Sequence, residues 1–342
     1  MKAFVTGSTG LLGSNLVNEL VARGYEVKAL ARSAEKARKQ IGNPNVQIVV
    51  GDMENIAGFA PELAGCDVLF HTAAYFREYF GLGDHWAKLE QININGTLEL
   101  LAEAEKRGVG KVIYTSSSGV LGAGANGAPA DESTGPDASV HANLYFKSKL
   151  LAEHAIADFL KTHALPIVLI LPVVMVGPQD AAPTGIGQSI IQVLERKFPV
   201  IPPGGFAFVD ARDVATAMVN AVQRGKSGER YIIANRFLSI AQMAQHVGLA
   251  SGVPIPRRVM PYPLMLTFAR LAELGARFTG REPQITANIV RTLNDQRTVS
   301  NAKARRELGV TMRPLEETFH DEVMWFYANG YVKGTAPAAQ PA

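Results

Sequence analysis

The chain has 342 residues, of which 47% are hydrophobic and 19% are charged, a composition typical of a folded enzyme rather than a disordered protein. Its formal net charge of +3 is too small to indicate a nucleic acid or an acidic membrane as a partner. Because Cys66 is the only cysteine, an intramolecular disulfide and a cluster of thiolate metal ligands are excluded, and we predict no metal site.

The beginning of the chain and its apolar stretches predict a cytoplasmic protein. Met1 and Lys2 are followed at once by a strand-like run, which leaves no room for a secretory signal. The longest uncharged apolar stretch, from Leu165 to Gly177, contains two prolines and is too short to cross a bilayer. We therefore expect no membrane span.

Short β-branched runs alternate with helical patterns in the first half of the chain. The first helical pattern places Leu12, Leu16 and Leu20 on one face, and Gly24 supplies its C-terminal stop. This alternation predicts the α/β fold class, a Rossmann-type doubly wound parallel sheet with a smaller C-terminal substrate-binding region. The predicted strands are Ala3–Thr6, Val27–Ala31, Gln47–Val50, Val68–His71, Val112–Thr115 and Ile167–Leu171.

After Pro172 the alternation weakens, and stretches rich in glycine and proline divide the chain into shorter pieces. One later segment is predicted to return to the first domain, with a helix from Val209 to Gln223 and a strand from Tyr231 to Ala234. The predicted parts are a dinucleotide-binding domain (1–171, with 207–235 returning to it), a substrate-binding region (172–206 and 236–333) and a disordered Pro/Ala-rich tail (334–342).

A glycine-rich turn follows the first predicted strand and opens the first helix. Glycine suits such a turn because a side chain would block a pyrophosphate, and the free amides and positive dipole end of the helix then face that anion. The alternative is a turn with a purely structural use. Its place between a strand and a helix favours a dinucleotide site, formed by Gly7, Thr9, Gly10, Leu11, Leu12 and Gly13.

Arg32 ends the second strand, where an NAD-selective site usually carries an acidic residue for the ribose hydroxyls. Together with Lys36, Arg38 and Lys39 it creates a positive field suited to a 2′-phosphate. NADP(H) is therefore favoured as the cofactor, and NAD(H) is possible. The other interpretation is a solvated basic helix start, in which Glu35 offsets part of the charge.

Further cofactor contacts are predicted where the third and fourth strands end. Asp52 could accept a hydrogen bond from an adenine amino group, with Met53 against the ring, although a surface Gly-Asp turn has the same sequence. His71 is interpreted as a hydrogen-bonded core histidine rather than a catalyst. Small residues after it allow a cofactor to approach the backbone closely, and the residues assigned here are Asp52, Met53, Thr72, Ala73 and Ala74.

Tyr145 and Lys149 lie four residues apart in a helix-compatible run, so both point to one face. The lysine charge favours the tyrosinate form, which makes Tyr145 a usable proton donor or acceptor near neutral pH. A surface Tyr/Lys pair is the alternative, but no other tyrosine of the chain has a lysine four residues on.

Ser117 follows the fifth predicted strand, at the sheet edge where ligands bind, and could hold a substrate oxygen. The alternative is an ordinary loop, since a run of Ser and Thr residues is also typical of loops.

These motifs in combination resemble the extended short-chain dehydrogenase/reductase family. A run near the C-terminus is also similar to that family, so the resemblance covers nearly the whole chain. The segments that carry it are the Gly7/Gly10/Gly13 pattern, Gly51–Met53, Asn93–Thr97, Thr115–Ser117, the Tyr145/Lys149 pair and Val299–Gly309.

The resemblance implies that Ser117 orients a carbonyl or hydroxyl group and that Tyr145 is the acid/base. It implies that Lys149 binds the nicotinamide ribose while tuning Tyr145, and that Asn93 supports the active-site helix. Thr115 and Pro172 are assigned to the cofactor site on the same basis. A homodimer is also implied, through helices near Thr97–Lys106 and Tyr145–Phe159.

Within the family, the run Ile170–Pro178 is more similar to carbonyl reductases such as dihydroflavonol reductases and hydroxysteroid dehydrogenases. Many sugar-nucleotide enzymes carry an asparagine beside the proline, where this chain has Leu171 and Val173. The whole chain also resembles hopanoid-associated epimerase-like proteins, notably at Gly280–Pro283 and around Leu308. Three arginines could bind a diphosphate or be solvated charges: Arg257, Arg258 and Arg291.

The predicted function is an NAD(P)H-dependent oxidoreductase that reduces a ketone or aldehyde, or oxidises the alcohol, with Tyr145 as acid/base. The alternative is a nucleotide-sugar epimerase or dehydratase with tightly bound NAD(P). A dinucleotide-sensing regulator is disfavoured, because it would be expected to lack the Tyr145/Lys149 pair. The partner is a small carbonyl or alcohol substrate.

The segment from Val259 to Phe278 has a broad apolar helical face, which is interpreted as core packing. A wall for an apolar substrate is the alternative. Four aromatic residues after the fourth strand could contribute to the same wall or anchor a loop: Tyr75, Phe76, Tyr79 and Phe80.

Overall fold

The computed structural model of the protein describes residues 1–76, 85–197, 200–256, 258–279 and 286–333. Several features singled out in the sequence lie outside these residues: Tyr79, Phe80, Arg257, the run Gly280–Pro283 and the tail 334–342.

The described residues form ten strands: β1 (Lys2–Thr6), β2 (Glu26–Ala31), β3 (Gln47–Val50), β4 (Val68–His71), β5 (Lys111–Thr115), β6 (Ile167–Pro172), β7 (Val174–Val176), β8 (Gly205–Asp210), β9 (Arg230–Ile233) and β10 (Arg236–Ser239). The helices of the same residues are α1 (Leu11–Ala22), α2 (Ala34–Ile41), α3 (Trp86–Leu89), α4 (Gly96–Lys106), α5 (Ala138–Ala142), α6 (Leu144–Phe159), α7 (Gly185–Leu194), α8 (Ala211–Arg224), α9 (Ile240–Ser251), α10 (Tyr262–Thr279), α11 (Ala287–Asn294), α12 (Ala302–Leu308) and α13 (Leu315–Ala328). A π-helical turn, Glu90–Asn95, joins α3 to α4.

Seven strands form one parallel sheet in the order β3-β2-β1-β4-β5-β6-β9. The chain first moves outward from β1 through β2 to β3 and then crosses to β4 on the other side. The strand order therefore reverses between β1 and β4, which opens a crevice at the carboxyl ends of these strands. This topology confirms the predicted doubly wound fold.

The first core lies on both faces of this sheet, because consecutive apolar residues of its central strands are buried. All four residues of β4 and all six of β6 are buried. Leu16 and Leu20 of α1 are fully buried, as their spacing predicted, and Gly24 ends the helix region with a φ of +77°. Rigid strands thus hold the loops at the carboxyl edge in fixed positions.

A three-stranded sheet in the order β10-β8-β7 forms the second layer of the molecule, with β8 parallel to β7 and antiparallel to β10. Its core contains Val176 and Phe208 from the sheet and Phe319 and Phe326 from α13. A separate small cluster forms between α10 and α11. This layer occupies most of the predicted substrate-binding region.

The structure differs from the predicted elements and their division in three places. The helix predicted from Val209 begins at Ala211, because Val209 and Asp210 belong to β8 and the Asp210 carboxylate accepts a hydrogen bond from Arg212 N at 2.7 Å. Within the segment predicted to return, only β9 joins the large sheet, with α8 packed against it, while β8 pairs in the small sheet. Conversely, α12 packs on the first domain, where Ala304 and Leu308 join its core.

No helix in the described part of the chain combines the length and apolar composition that crossing a membrane requires.

Candidate active site

The glycine turn between β1 and α1 contains three glycines with different surroundings. Gly7 has a φ of +67°, and a Cβ there would lie 2.8 Å from the Ala73 amide nitrogen. A Cβ on Gly13 would overlap the Gly7 carbonyl oxygen, whereas a Cβ on Gly10 would meet only that oxygen, at 3.4 Å. Protein packing therefore requires Gly7 and Gly13, but leaves open space beside Gly10.

The first turn of α1 is suited to an anion. Gly10 is the N-cap and provides no side-chain cap, and no acidic residue lies in the first turn. The unpaired amides and the positive end of the helix dipole are therefore available at this point. Leu11 and Leu12 are buried, so their contribution there comes from the backbone.

Two contacts that the sequence did not predict hold this turn in place. Gln40 Nε2 of α2 donates to the Thr9 carbonyl oxygen at 2.7 Å. Asn15 Nδ2 donates to the Pro178 carbonyl oxygen at 2.8 Å, which ties α1 to the segment after β7. Neither contact has a local sequence signal, because each joins residues far apart in the chain.

The loop after β4 lies directly against the glycine turn. Thr72 Oγ1 donates to the Thr6 carbonyl oxygen at 2.6 Å, and the Ala73 amide donates to Thr6 Oγ1 at 3.2 Å. Residues 72–74, which the sequence assigned to the cofactor site, are therefore brought beside Gly7.

His71 lies beneath this loop and is fully buried. Its Nδ1 is 2.7 Å from Thr6 Oγ1, and its Nε2 is 3.1 Å from Thr97 Oγ1. Burial lowers the pKa of His71 to about 3, with a smaller contribution from the positive charge of Lys149. The imidazole is thus neutral and holds β1 to α4, as expected for a core histidine.

The residues predicted to contact the adenosine part of a cofactor follow β2 and β3. Arg32 is exposed and directly follows β2. Asp52 Oδ1 accepts a hydrogen bond from the Glu54 amide at 3.0 Å, which closes a local turn. The Met53 side chain is only 9% exposed and packs in the first core. Contact between Met53 and an adenine ring stays a prediction.

Helix α6 carries the Tyr145/Lys149 pair, one turn apart. Lys149 is buried, and its Nζ donates to the Thr115 carbonyl oxygen at 2.7 Å. Nζ also lies 4.9 Å from the centre of the Tyr114 ring. Burial lowers the pKa of Lys149 to about 7, while the negative charge of Glu153 acts in the opposite direction. The lysine is thus held at the carboxyl end of β5, beneath the partly exposed Tyr145.

The loop that carries Ser117 packs against the start of α6. Ser117 Oγ accepts a hydrogen bond from the Gly119 amide at 3.1 Å. A Cβ on Gly119 would overlap the ring of Phe146, the residue after Tyr145, so the loop packs tightly against α6 at this point. The structure therefore brings the three predicted reacting residues, Ser117, Tyr145 and Lys149, onto two elements in direct contact.

An aromatic ring lies at the exposed side of this group. The Phe76 and Tyr145 rings are 4.7 Å apart between centres, with an angle of 72° between their planes. Phe76 is 38% exposed. The phenol of Tyr145 is thus bordered by an apolar surface that solvent can reach.

Asn93 lies in the π-helical turn and connects the loop after β4 to α6. Its Oδ1 accepts from the Tyr75 amide at 2.8 Å, and its Nδ2 donates to the Tyr75 carbonyl oxygen at 3.1 Å. Nδ2 also donates to Ser148 Oγ, at 3.0 Å. Asn93 therefore contacts the helix that it was expected to support.

A buried acidic group, missed in the sequence, lies one turn beyond Lys149. Glu153 accepts a short hydrogen bond from Ser116 Oγ and pairs with Arg230 Nε at 3.3 Å. Burial raises the pKa of Glu153, and the positive charge of Arg230 opposes that shift. The signal that could have revealed it is the spacing of four residues from Tyr145 to Lys149 to Glu153, which places all three on one face of α6.

Pro172 is the buried last residue of β6 and lies opposite Ile233 of β9. Because β6 also pairs with β5, Pro172 lies at the same edge of the sheet as Thr115 and Lys149.

A glycine turn between the first strand and the first helix, at the reversal of the strand order of a parallel sheet, is the arrangement of dinucleotide-binding α/β proteins. The model of the NAD dependent epimerase/dehydratase family matches residues 3–234, more than half of the chain. The protein therefore belongs to the NAD-dependent epimerase/dehydratase family, which confirms the resemblance found in the sequence.

Full-length relatives support this assignment. A Synechocystis protein named as a dihydroflavonol 4-reductase is 34% identical over 338 residues, which cover 96% of each chain. Sterol demethylase protein B of Methylococcus capsulatus is 32% identical over 336 residues, which cover 97% of this chain and 100% of the relative. Among solved structures, the crystal structure of gox2253 is similar with a TM-score of 0.82 and 32% identity, covering 97% of this chain and 99% of that one.

Proposed function

We propose that the protein is an NADP(H)-preferring oxidoreductase that reduces a ketone or aldehyde on a weakly polar substrate, or oxidises the corresponding alcohol. The observation that carries the proposal is the position of Lys149, which is buried one turn from Tyr145 and bonded to the end of β5. The reductase name of a full-length relative supports the same choice. The proposal includes a cytoplasmic location and a homodimer through the helices near Thr97–Lys106 and Tyr145–Phe159.

The residues at the glycine turn fit a dinucleotide. Space beside Gly10 and the uncapped start of α1 suit the pyrophosphate, and exposed Arg32 suits a 2′-phosphate. Lys149 lies at the carboxyl end of β5, and in this proposal it contacts the nicotinamide ribose. When bound there, NADPH supplies the hydride that reduces the carbonyl carbon.

The chain's own residues handle the oxygen of the substrate. Ser117 Oγ already accepts from Gly119, so its hydroxyl hydrogen is suited to donate to the carbonyl oxygen. Tyr145 gives its phenolic proton to the same oxygen as negative charge develops. The Lys149 ammonium stabilises the tyrosinate that remains, and its burial strengthens this electrostatic effect.

Apolar surroundings favour a weakly polar substrate over a nucleotide sugar. Phe76 borders Tyr145 with an exposed ring. The buried Leu171 and Val173 stand beside Pro172, where many sugar-nucleotide enzymes carry an asparagine. The two full-length relatives are named for a dihydroflavonol and a sterol, neither of which is a nucleotide sugar.

The test is a panel of ketones and aldehydes supplied with NADPH or NADH, with turnover followed as cofactor absorbance. We expect Tyr145→Phe to lose at least about 100-fold in kcat, because it removes the proton donor. Tyr25→Phe is the matched control, since Tyr25 precedes β2 at the opposite edge of the sheet.

Two results would reject the proposal. One is a Tyr145→Phe variant that turns over at the same rate as the wild type. The other is a purified protein that retains NAD(H) and oxidises no NADPH with any member of the panel, which would favour the epimerase or dehydratase alternative.

A further inference from the structure

Helix α10 is apolar on two opposite faces. Its inner face packs on α11, where Met265 and Ala269 meet Ala287 and Val290. Its outer face carries five large apolar side chains that are between 50% and 84% exposed: Leu264, Phe268, Leu271, Leu274 and Phe278. The core packing expected from the sequence is therefore found on the inner face only.

The outer residues form one continuous stripe. Leu264, Leu271 and Phe278 are separated by seven residues each, so they lie along one line of the helix. From Leu264 to Phe278 the stripe is about 21 Å long, at a rise of about 1.5 Å per residue along α10. Glu273, the only acidic residue of α10, accepts a hydrogen bond from the Ala287 amide at 2.8 Å and so is engaged with α11.

Positive charge is concentrated in the same part of the chain. By sequence, residues 257–291 contain six arginines, two glutamates and no other charged side chain, although the whole chain has a net charge of only +3. Three of these arginines are exposed in the structure: Arg258 before α10, Arg270 on α10 and Arg291 on α11. The small net charge of the chain thus conceals an uneven distribution.

We propose that α10 docks the protein on the surface of an anionic membrane, with its axis in the plane of the bilayer. Its stripe of Leu and Phe side chains would enter the boundary between headgroups and acyl chains, and the arginines would contact lipid phosphates. This inference revises the expectation, drawn from net charge, that an acidic membrane is not a partner.

Charge complementarity favours a membrane over a second copy of the chain. A symmetric dimer through α10 would bring the same patch of each subunit together, and with it the same arginines. Like charges at such an interface oppose association, whereas acidic lipid headgroups neutralise them.

The test is flotation of the purified protein with vesicles of phosphatidylcholine alone or mixed with phosphatidylglycerol. We expect the wild type to float with the mixed vesicles and to be released by salt. The combined variant Leu264→Ser, Leu271→Ser and Phe278→Ser should bind at least tenfold more weakly, as an order-of-magnitude estimate. Leu249→Ser is the matched control, because Leu249 is 73% exposed but lies on α9.

Thermal melting shows whether the variants are folded, and we expect no loss of melting temperature because the replaced side chains are exposed. Failure of the wild type to float with the mixed vesicles, or equal binding by the triple variant, would overturn the proposal. So would a wild-type dimer that floats with neither vesicle and dissociates in the triple variant. Since no substrate or cofactor is added, these outcomes are independent of the proposed reductase activity.

Discussion

Single alanine substitutions of Gly10 and Gly13 should distinguish a glycine that binds the cofactor from one that the packing of the protein requires. The two glycines belong to the same turn, but only Gly13 is confined by the protein itself. The added methyl group is the same in both variants, so the comparison depends on where the methyl group points.

The structure gives the size of each effect. In Gly13→Ala the new Cβ overlaps the Gly7 carbonyl oxygen, and the turn must shift to relieve the overlap. Overpacking of this kind lowers the free energy of unfolding by about 1–3 kcal/mol or more. Alanine has a better helix propensity than glycine by about 1 kcal/mol, which offsets part of this loss. In Gly10→Ala the new Cβ is 3.4 Å from its nearest neighbour, so we expect a change within about 1 kcal/mol.

Cofactor affinity should fall in the Gly10→Ala variant, whose free energy of unfolding changes least. Gly10→Ala places a methyl group in the space assigned to the pyrophosphate, and we expect dinucleotide binding to weaken at least about tenfold. Urea unfolding and calorimetric titration with NADPH measure the two quantities on the same samples. A Gly10→Ala protein that binds NADPH like the wild type would refute the proposed cofactor position, and a Gly13→Ala protein of wild-type stability would refute the packing.

Two further predictions concern charges at the site. Glu153→Gln keeps a partner for Ser116 but removes the carboxylate that favours charged Lys149, whose pKa burial already lowers to about 7. The charged form of Lys149 is then lost at lower pH, so the alkaline limb of the kcat/KM profile should move to lower pH by about one unit. A purely structural defect would instead lower activity equally at every pH. Arg32→Ser should lower kcat/KM for NADPH about 10–100-fold and leave NADH turnover unchanged, because it removes a charge-assisted bond to the 2′-phosphate. Arg305→Ser is the control, because Arg305 is exposed on α12, beside β9 at the other end of the sheet from β2. Equal losses with both cofactors would contradict the assigned selectivity.

Local patterns in the sequence predicted the large sheet and singled out the residues of the proposed reacting centre. The glycine turn, the strand ends and the i, i+4 pair of Tyr145 and Lys149 are each defined by neighbours within a few residues. The assignment of β8 to the small sheet could not be predicted in this way, because strand pairing joins distant residues. The same reason applies to Glu153, whose partners Ser116 and Arg230 come from two other parts of the chain.

The outer face of α10 shows a different limit. Hydrophobic periodicity predicted an apolar helix there, but the same spacing serves an inner face and an outer one. Only the structure shows that the Met265 side chain is buried and the Leu264 side chain is exposed.

The contact between Asn93 and the loop after β4 has a consequence for how such an enzyme can change its substrate. Asn93 bonds to the main-chain amide and carbonyl of Tyr75, so the bond does not depend on which side chain residue 75 carries. The bond between Asn93 and Ser148 of α6 is therefore preserved when the exposed Phe76 side chain is exchanged, whereas the Tyr75 side chain packs against the first core. Selection or directed evolution can thus diversify position 76, beside the proposed site, without moving the helix that carries Tyr145.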